Sequence, residues 1–282
     1  MDVVPRIKLN TGQDIPQLGF GVYQIPAKGT VSAVQTALDM GYRHIDTAEM
    51  YQNEKEVGVA IRESQVGRAD VFITSKLNNG YHKPSEARLA FDDTLLALDT
   101  SYIDLFLIHW PLPTLYGGDY VATWKVMEEF HQDGRARSVG VSNFQIDHLE
   151  KLQTESELVP AANQIELHPY FQNRKLAEYN RKHQIVTEAW SPIAQGAVLD
   201  DPVIEAIALE VDKTPAQVVL RWHIQHGYVV FPKSVTPARI EENFDIFDFD
   251  LSKDQMELID GLDQGEAGRT GPNPDTFAYL PR

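Results

Sequence analysis

Short apolar runs rich in Val, Ile and Phe alternate along the chain with longer stretches whose hydrophobic residues return every three or four positions. The first pattern is that of buried strands and the second that of amphipathic helices. A helix is expected from about Thr30 to Met40, where Val31, Val34, Ala37 and Leu38 share a face and Gly41 stands where a left-handed cap would sit. It follows a strand at Gln17 to Phe20 and precedes one at Tyr42 to Asp46. The alternation then runs helix Asn53 to Glu63, strand Val71 to Thr74, helix Pro84 to Leu98, strand Ile103 to Ile108, helix Tyr120 to Gln132 and strand Ser138 to Val141. Helix Ile146 to Leu152, strand Ala162 to Ile165, helix Arg174 to His183, strand Ile185 to Ala189, helix Pro215 to Gln225, strand Tyr228 to Phe231 and helix Pro237 to Phe244 complete it.

About eight βα units without a linker between them favour parallel strands closed into a (β/α)8 TIM barrel, although an open doubly wound sheet gives the same rhythm. No Gly-x-Gly-x-x-Gly follows the first strand, which removes the main support for the open sheet. Ahead of that strand, Ile7 to Pro16 reads as a hairpin turning at Thr11-Gly12 that would plug the barrel floor. Residues 1–282 are expected to form one domain, with a tail from about 264 to 282, rich in Gly and Pro between Gly268 and Pro274, folded over the barrel mouth.

Composition narrows the chemistry. With 282 residues, 43% of them hydrophobic, the chain can bury a large core. Zero cysteines exclude disulfides, thiolate zinc and a cysteine nucleophile, and the nine histidines show no HExxH-like spacing, so no metal is expected. A formal charge of -16 argues against nucleic acid or an anionic membrane as partner, so an anionic ligand would need a local basic pocket. No run approaches the roughly 18 apolar residues of a membrane span, and Met1 to Pro5 lacks signal-peptide features, which makes a cytoplasmic protein the expectation.

In a barrel of this kind the site gathers where strands end. Asp46, Lys76 and His109 stand at three successive strand ends, with Tyr51 in the loop after Asp46. Together they make a coherent acid site for reducing a carbonyl. A tyrosine with an ordinary pKa of about 10 is a poor donor, and a lysine ammonium against it would lower that value. An aspartate would hold the lysine, and a neutral histidine would orient the carbonyl oxygen.

Gly41-Tyr42-Arg43-His44-Ile45-Asp46-Thr47-Ala48 with Tyr51, Ile73-Thr74-Ser75-Lys76-Leu77 and Leu107-Ile108-His109-Trp110-Pro111 resemble the catalytic core of the aldo-keto reductase superfamily, over about Ile7 to Asp263. The resemblance implies Tyr51 as general acid, Asp46 and Lys76 as its tuners, and His109 as the group orienting the substrate carbonyl. Phe231-Pro232-Lys233-Ser234-Val235 and Phe247-Asp248-Phe249-Asp250 look closest to the bacterial branch containing 2,5-diketo-D-gluconate reductases, implying NADPH-dependent reduction of aldehydes and ketones, among them dicarbonyls and keto-sugar acids.

Phe231 to Arg239 supplies the basic pocket. Thr236 and Pro237 begin a helix, as Thr214 and Pro215 do, but only the former pair has Lys-Ser ahead of it and Arg239 one turn in. A helix N-terminus beside two cations suits a phosphate. In the family the similar motif grips the adenosine 2'-phosphate, which implies Lys233, Ser234, Val235, Thr236 and Arg239 at that phosphate, Glu242 and Asn243 at the adenine, and NADPH rather than NADH. Ser142, Asn143 and Gln164 resemble the partners of the nicotinamide carboxamide, and Trp190 the aromatic under its ring. Ile193 to Leu199 resembles the loop over the pyrophosphate, flexing at Gly196. Gly21, Val22, Asp46, Ser191, Pro192, Gln195 and Leu199 are further implied cofactor neighbours.

Tyr23, Tyr51, His109 and Trp110, with the tail, are expected to wall the substrate pocket, and Arg269 is a candidate for meeting an acidic substrate. Val22 replaces the threonine of many relatives. Asn78 stands where many have Trp or Phe, which should open or polarise one wall. The competing readings are a cofactor-binding relative without catalysis and a barrel enzyme for a phosphorylated substrate. The family implies a monomer.

Overall fold

The computed structural model describes residues 4–281; Met1–Val3, read above for a leader, and Arg282 lie outside them. Strand β1 (Arg6–Lys8) pairs antiparallel with β2 (Asp14–Pro16), and the turn between them passes through Gly12 at φ 87°, as expected of the Thr11-Gly12 signal. Strands β3 (Phe20–Gly21), β4 (His44–Asp46), β5 (Phe72–Leu77), β6 (Leu105–Ile108), β7 (Val139–Ser142), β8 (Ala162–Glu166), β9 (Val186–Trp190) and β10 (Val229–Val230) then pair in chain order, every one parallel to its neighbour. The two edges meet where the Val230 amide donates to Gln17 O at 2.9 Å and the Gly19 amide to Val230 O at 2.7 Å, so the sheet curls into a nearly closed barrel.

Helices α1 (Ala27–Met40), α2 (Glu54–Glu63), α3 (Pro84–Ala97), α4 (Tyr120–Gln132), α5 (Ile146–Glu155), α6 (Arg174–Lys182), α7 (Pro202–Val211), α8 (Pro215–Gln225), α9 (Pro237–Phe244) and α10 (Lys253–Asp260) surround it. Gly41 closes α1 at φ 111°, the left-handed cap the sequence signals. Helices α7 and α10 went unread although each carries a start signal: Asp201 accepts from the Val203 amide ahead of Pro202, and Ser252 forms a capping box with Gln255. The strands also run further than their apolar residues indicate. The expected end at Thr74 is overrun to Leu77, because Ser75 and Lys76 find polar partners inside the protein.

Leu9 and Ile15 of the hairpin pack with Phe72, Leu105, Leu107, Ala162, Val229 and Phe231, the lower barrel interior. A second, larger cluster fills the space between strands and helices. With the floor stoppered, polar residues at the upper strand ends face a single opening. Ile15 is fully buried, so Ile15→Ala should cost about 2–5 kcal/mol of stability in urea unfolding. A loss under roughly 1 kcal/mol would mean that the hairpin is an ornament rather than part of the core.

Candidate active site

Parallel pairing sets the inward-facing residues side by side. Gly21 lies beside Asp46, and a Cβ at Gly21 would sit 2.5 Å from the Phe231 carbonyl oxygen, so the close strand approach at this corner requires glycine. The Val22 amide donates to Asp46 O at 3.0 Å, and Val22 O accepts from Asn53 Nδ2 at 3.0 Å. Val22 thus hydrogen-bonds through its backbone, while its side chain is buried in the core.

Lys76 Nζ donates to Asp46 Oδ1 at 2.8 Å and to Thr47 O at 2.9 Å, and reaches Tyr51 Oη at 3.4 Å. The sequence places these residues on two strands and a turn; the barrel makes them one group. The His109 ring stands edge-on to Tyr51, centroids 5.8 Å apart, and Tyr23 leans on the other side of Tyr51 at 5.0 Å. Both expected pocket residues therefore flank the phenol.

Burial would lower the Lys76 ammonium, but Asp46 and Tyr51 outweigh it and its pKa ends raised. Asp46 is pushed up by burial and pulled back by Lys76. For Tyr51 burial prevails: the phenol is pushed up to about 12, with Lys76 opposing. This corrects the sequence expectation, in which lysine alone set the direction. The phenol stays protonated at every physiological pH, while the nearby ammonium is placed to favour the phenolate once a proton leaves. Burial and Lys76 together hold His109 well below the usual imidazole range, so it is neutral at pH 7.

Around this group sits an amide layer. Gln164 Nε2 donates to Asp46 Oδ2 at 2.8 Å, Ser142 Oγ donates to Gln164 O at 2.8 Å, and Asn143 Nδ2 donates to His109 O at 3.0 Å. Trp190 Nε1 donates to Asn143 Oδ1 at 2.8 Å, which fixes the indole at the barrel mouth. The next segment turns through left-handed Ser191, Ala194, Gln195 and Gly196, the last at φ 100°. Pro192 O lies 3.0 Å from His223 Nε2, and the Leu199 amide donates to Gly196 O at 3.0 Å.

The basic cluster is arranged unlike an ordinary helix start. Thr214 caps α8 with its own side chain, in a box with Gln217. Thr236 occupies the same place on α9 and makes no side-chain cap, its amide donating instead to Ser234 Oγ at 3.1 Å. Lys233, Val235, Thr236 and Arg239 are exposed, and neither Lys233 nor Arg239 is in an ion pair among the described residues. Glu242, expected at the adenine, accepts from Thr214 Oγ1 at 2.7 Å through one carboxylate oxygen; Asn243 next to it is half-buried.

The tail packs against residues of the loops above the barrel. Phe277 lies tilted against Trp110 with centroids 4.1 Å apart, and Asn79 Nδ2 donates to Tyr279 O at 3.0 Å. The anchor is a residue that the sequence reading gave no task. Glu166, buried at the end of β8, accepts from the Thr270 amide at 2.6 Å, Thr270 Oγ1 at 2.7 Å and the Gly271 amide at 2.9 Å, with His168 Nε2 3.0 Å away. Gly271 lies so close to the Trp190 indole that a Cβ would meet it at 2.3 Å. Arg269 pairs with Glu266 at 2.8 Å and lies over the Phe171 ring. Asn78 is likewise engaged, donating to Glu49 and accepting from the Gly80 amide at 2.9 Å, which makes this position polar.

A tightly held tyrosine–lysine–aspartate group with a neutral histidine at the mouth of a parallel barrel defines a carbonyl oxidoreductase site. Residues 17–264 match the family model described as the Aldo/keto reductase family. The chain is 51% identical over 274 residues to methylglyoxal reductase DkgA of Escherichia coli, covering 96% of this chain and 97% of that one, and 50% identical over 275 residues to an aldo-keto reductase of Mycolicibacterium smegmatis, covering 98% of each. Among solved structures, a mutant of Gox0644 in complex with NADPH superposes with a TM-score of 0.94 at 42% identity, over 98% of this chain and 99% of that one. The chain belongs to the aldo/keto reductase family. It is an NADP-dependent oxidoreductase acting on carbonyl compounds.

Burial opposes ionisation of Glu166, but His168, Thr270 and Gly271 together hold its carboxyl below the usual range. A depressed folded-state value means that the anchor contributes fully above the unfolded carboxyl's pKa of about 4.3 and is lost only as pH falls through the lower folded value. Glu166→Leu should therefore speed amide hydrogen exchange at Thr270 and Gly271 at neutral pH while leaving the barrel strands protected. Unchanged exchange at those two amides would show that other contacts suffice to hold the tail.

Proposed function

We propose that Tyr51 is the proton donor in the reduction of small aldehydes and ketones, with Asp46 and Lys76 as its tuners and His109 orienting the substrate oxygen. The observation that carries this reading is the Lys76 ammonium held between Asp46 and the Tyr51 hydroxyl. When bound, NADPH supplies the hydride that the carbonyl carbon accepts. The chain's own part is to hold the carbonyl oxygen beside Tyr51 and His109, exclude water under the tail, and release the Tyr51 proton to the oxygen as negative charge develops there. Lys76 then faces the phenolate that remains, which is where the cation contributes most.

The side chains at the mouth fit the proposed cofactor. Unpaired Lys233 and Arg239 beside the start of α9, which Thr236 leaves uncapped, suit a 2'-phosphate. Trp190 offers an indole face to a nicotinamide, with Ser142, Asn143 and Gln164 near its carboxamide and Gln195, Gly196 and Leu199 over the pyrophosphate. Asn143 already uses its side-chain amide on His109, Ser142 and Trp190, whereas Gln164 donates through Nε2 to Asp46 and Glu188 and keeps Oε1 to accept. As substrate we infer a neutral dicarbonyl of the methylglyoxal kind in preference to a keto acid, because Arg269 is already paired and the E. coli relative is named for that substrate. The chain works as one domain over residues 1–282, as a monomer in the cytoplasm; among the described residues no helix is long and apolar enough to cross a membrane. Joint presence of the catalytic group speaks against a cofactor-binding relative without catalysis.

Tyr51→Phe should lower NADPH oxidation with methylglyoxal by about 10²- to 10⁴-fold, the usual worth of a positioned acid. NADPH affinity should stay within about twofold. Turnover equal to wild type would remove Tyr51 from the reaction. Arg239→Ala should raise KM for NADPH by about tenfold or more while leaving that for NADH unchanged, since only the former carries the phosphate; equal effects on both would place the phosphate elsewhere.

A further inference from the structure

Glu188 lies fully buried in β9, and no step proposed above uses it. Register sets it beside Gln164 on one side and Val229 on the other, so its side chain enters the barrel next to the Gln164 amide. Gln164 Nε2 donates at once to Asp46 Oδ2, at 2.8 Å, and to Glu188 Oε2, at 2.9 Å. An amide nitrogen has two hydrogens, and both are spent on carboxyl groups. Gln164 Oε1 is then the one polar atom of that side chain free to recognise anything else. The charged groups acting on Glu188 are Asp46, which repels a second negative charge, and Lys76, which attracts it; burial and Asp46 prevail and push Glu188 up to about 8. At neutral pH it is mostly the uncharged acid, and its other oxygen is buried without a partner among the described residues.

We propose that Glu188 is a positioning residue: by accepting the second Nε2 hydrogen it fixes the plane of the Gln164 amide, so that Oε1 faces the nicotinamide and accepts from the carboxamide NH2. With Asp46 alone the amide has a pivot, about which it can swing; a second acceptor removes that freedom. A flipped amide is excluded by the same pair, since it would press its carbonyl oxygen against the Asp46 carboxylate. The assignment rests on the reading of Gln164 as a carboxamide partner. It also makes charge at Glu188 unnecessary, because a glutamine there keeps the accepting oxygen.

The test compares binding of NADPH with that of reduced 3-acetylpyridine adenine dinucleotide phosphate, whose methyl ketone has no NH2 to donate, followed by quenching of tryptophan fluorescence in the full chain. Wild type should favour NADPH by about three- to tenfold, the size of one net hydrogen bond. Glu188→Gln should keep that preference and Glu188→Leu should lose most of it, while adenosine 2',5'-bisphosphate binds all variants equally and so reports an intact fold. Removing the acceptor leaves one Gln164 Nε2 hydrogen unpaired and costs some stability, so Glu188→Met serves the same comparison if the leucine variant melts early. Gln164→Leu separates the two layers of the argument. If it loses the preference while Glu188→Leu retains it, Glu188 has no positioning role. If Gln164→Leu itself retains the preference, the carboxamide reading of Gln164 is overturned and the inference falls with it.

Discussion

An ammonium group stripped of water is costly, and Lys76, with none of its side chain exposed, is the group around which the upper barrel is arranged. Asp46 supplies the opposite charge and Thr47 a carbonyl oxygen, and Tyr51 Oη is the remaining polar atom within reach. Such a cluster is tolerable because the charged atoms at its centre are each met by a partner. Asp46 is itself held by Gln164, and Gln164 by Glu188, so charge, amide and neutral acid follow one another across the barrel interior. The Tyr51 phenol is the end of this series nearest the mouth, and its neighbours Tyr23 and His109 keep its ring in place.

The same logic of committed and uncommitted groups distinguishes the two Thr-Pro helix starts. Helix α8 has its capping box complete and its Thr214 hydroxyl spent on Glu242 as well, so nothing there remains to bind a ligand. Helix α9 has no side-chain cap and sits beside Lys233 and Arg239, which form no ion pair among the described residues, in a protein of net charge -16. Electrostatic complementarity is thus concentrated where the rest of the surface cannot offer it.

Much of this was legible in the sequence, for identifiable reasons. Eight strand–helix alternations, the Gly12 and Gly41 turns and the hairpin plug are all local patterns of hydrophobicity and backbone freedom, and each reads out directly. Tyr51, Asp46, Lys76 and His109 were legible because their types and spacing occur together and resemble a family's motif. What escaped reading depends on partners distant in sequence. Ser75 and Lys76 lie inside a strand although they look like its end, since Glu54 and Asp46 satisfy them. Arg269 looked available until folding set it against Glu266 and Phe171. The upward shift of Tyr51 comes from burial, which no spacing reveals. Glu188 had a signal that was passed over: an acid in the middle of Val186–Trp190, a strand otherwise suited to full burial, is out of place unless something inside the barrel needs it.

The central claim is that the buried Lys76 ammonium governs the proton-donating step rather than the binding of cofactor. The most direct measurement is single-turnover NADPH oxidation by Lys76→Met with saturating methylglyoxal, alongside NADPH affinity for the same variant. The account predicts a chemical step slowed by roughly a hundredfold or more with affinity retained. A rate within a few-fold of wild type would contradict it.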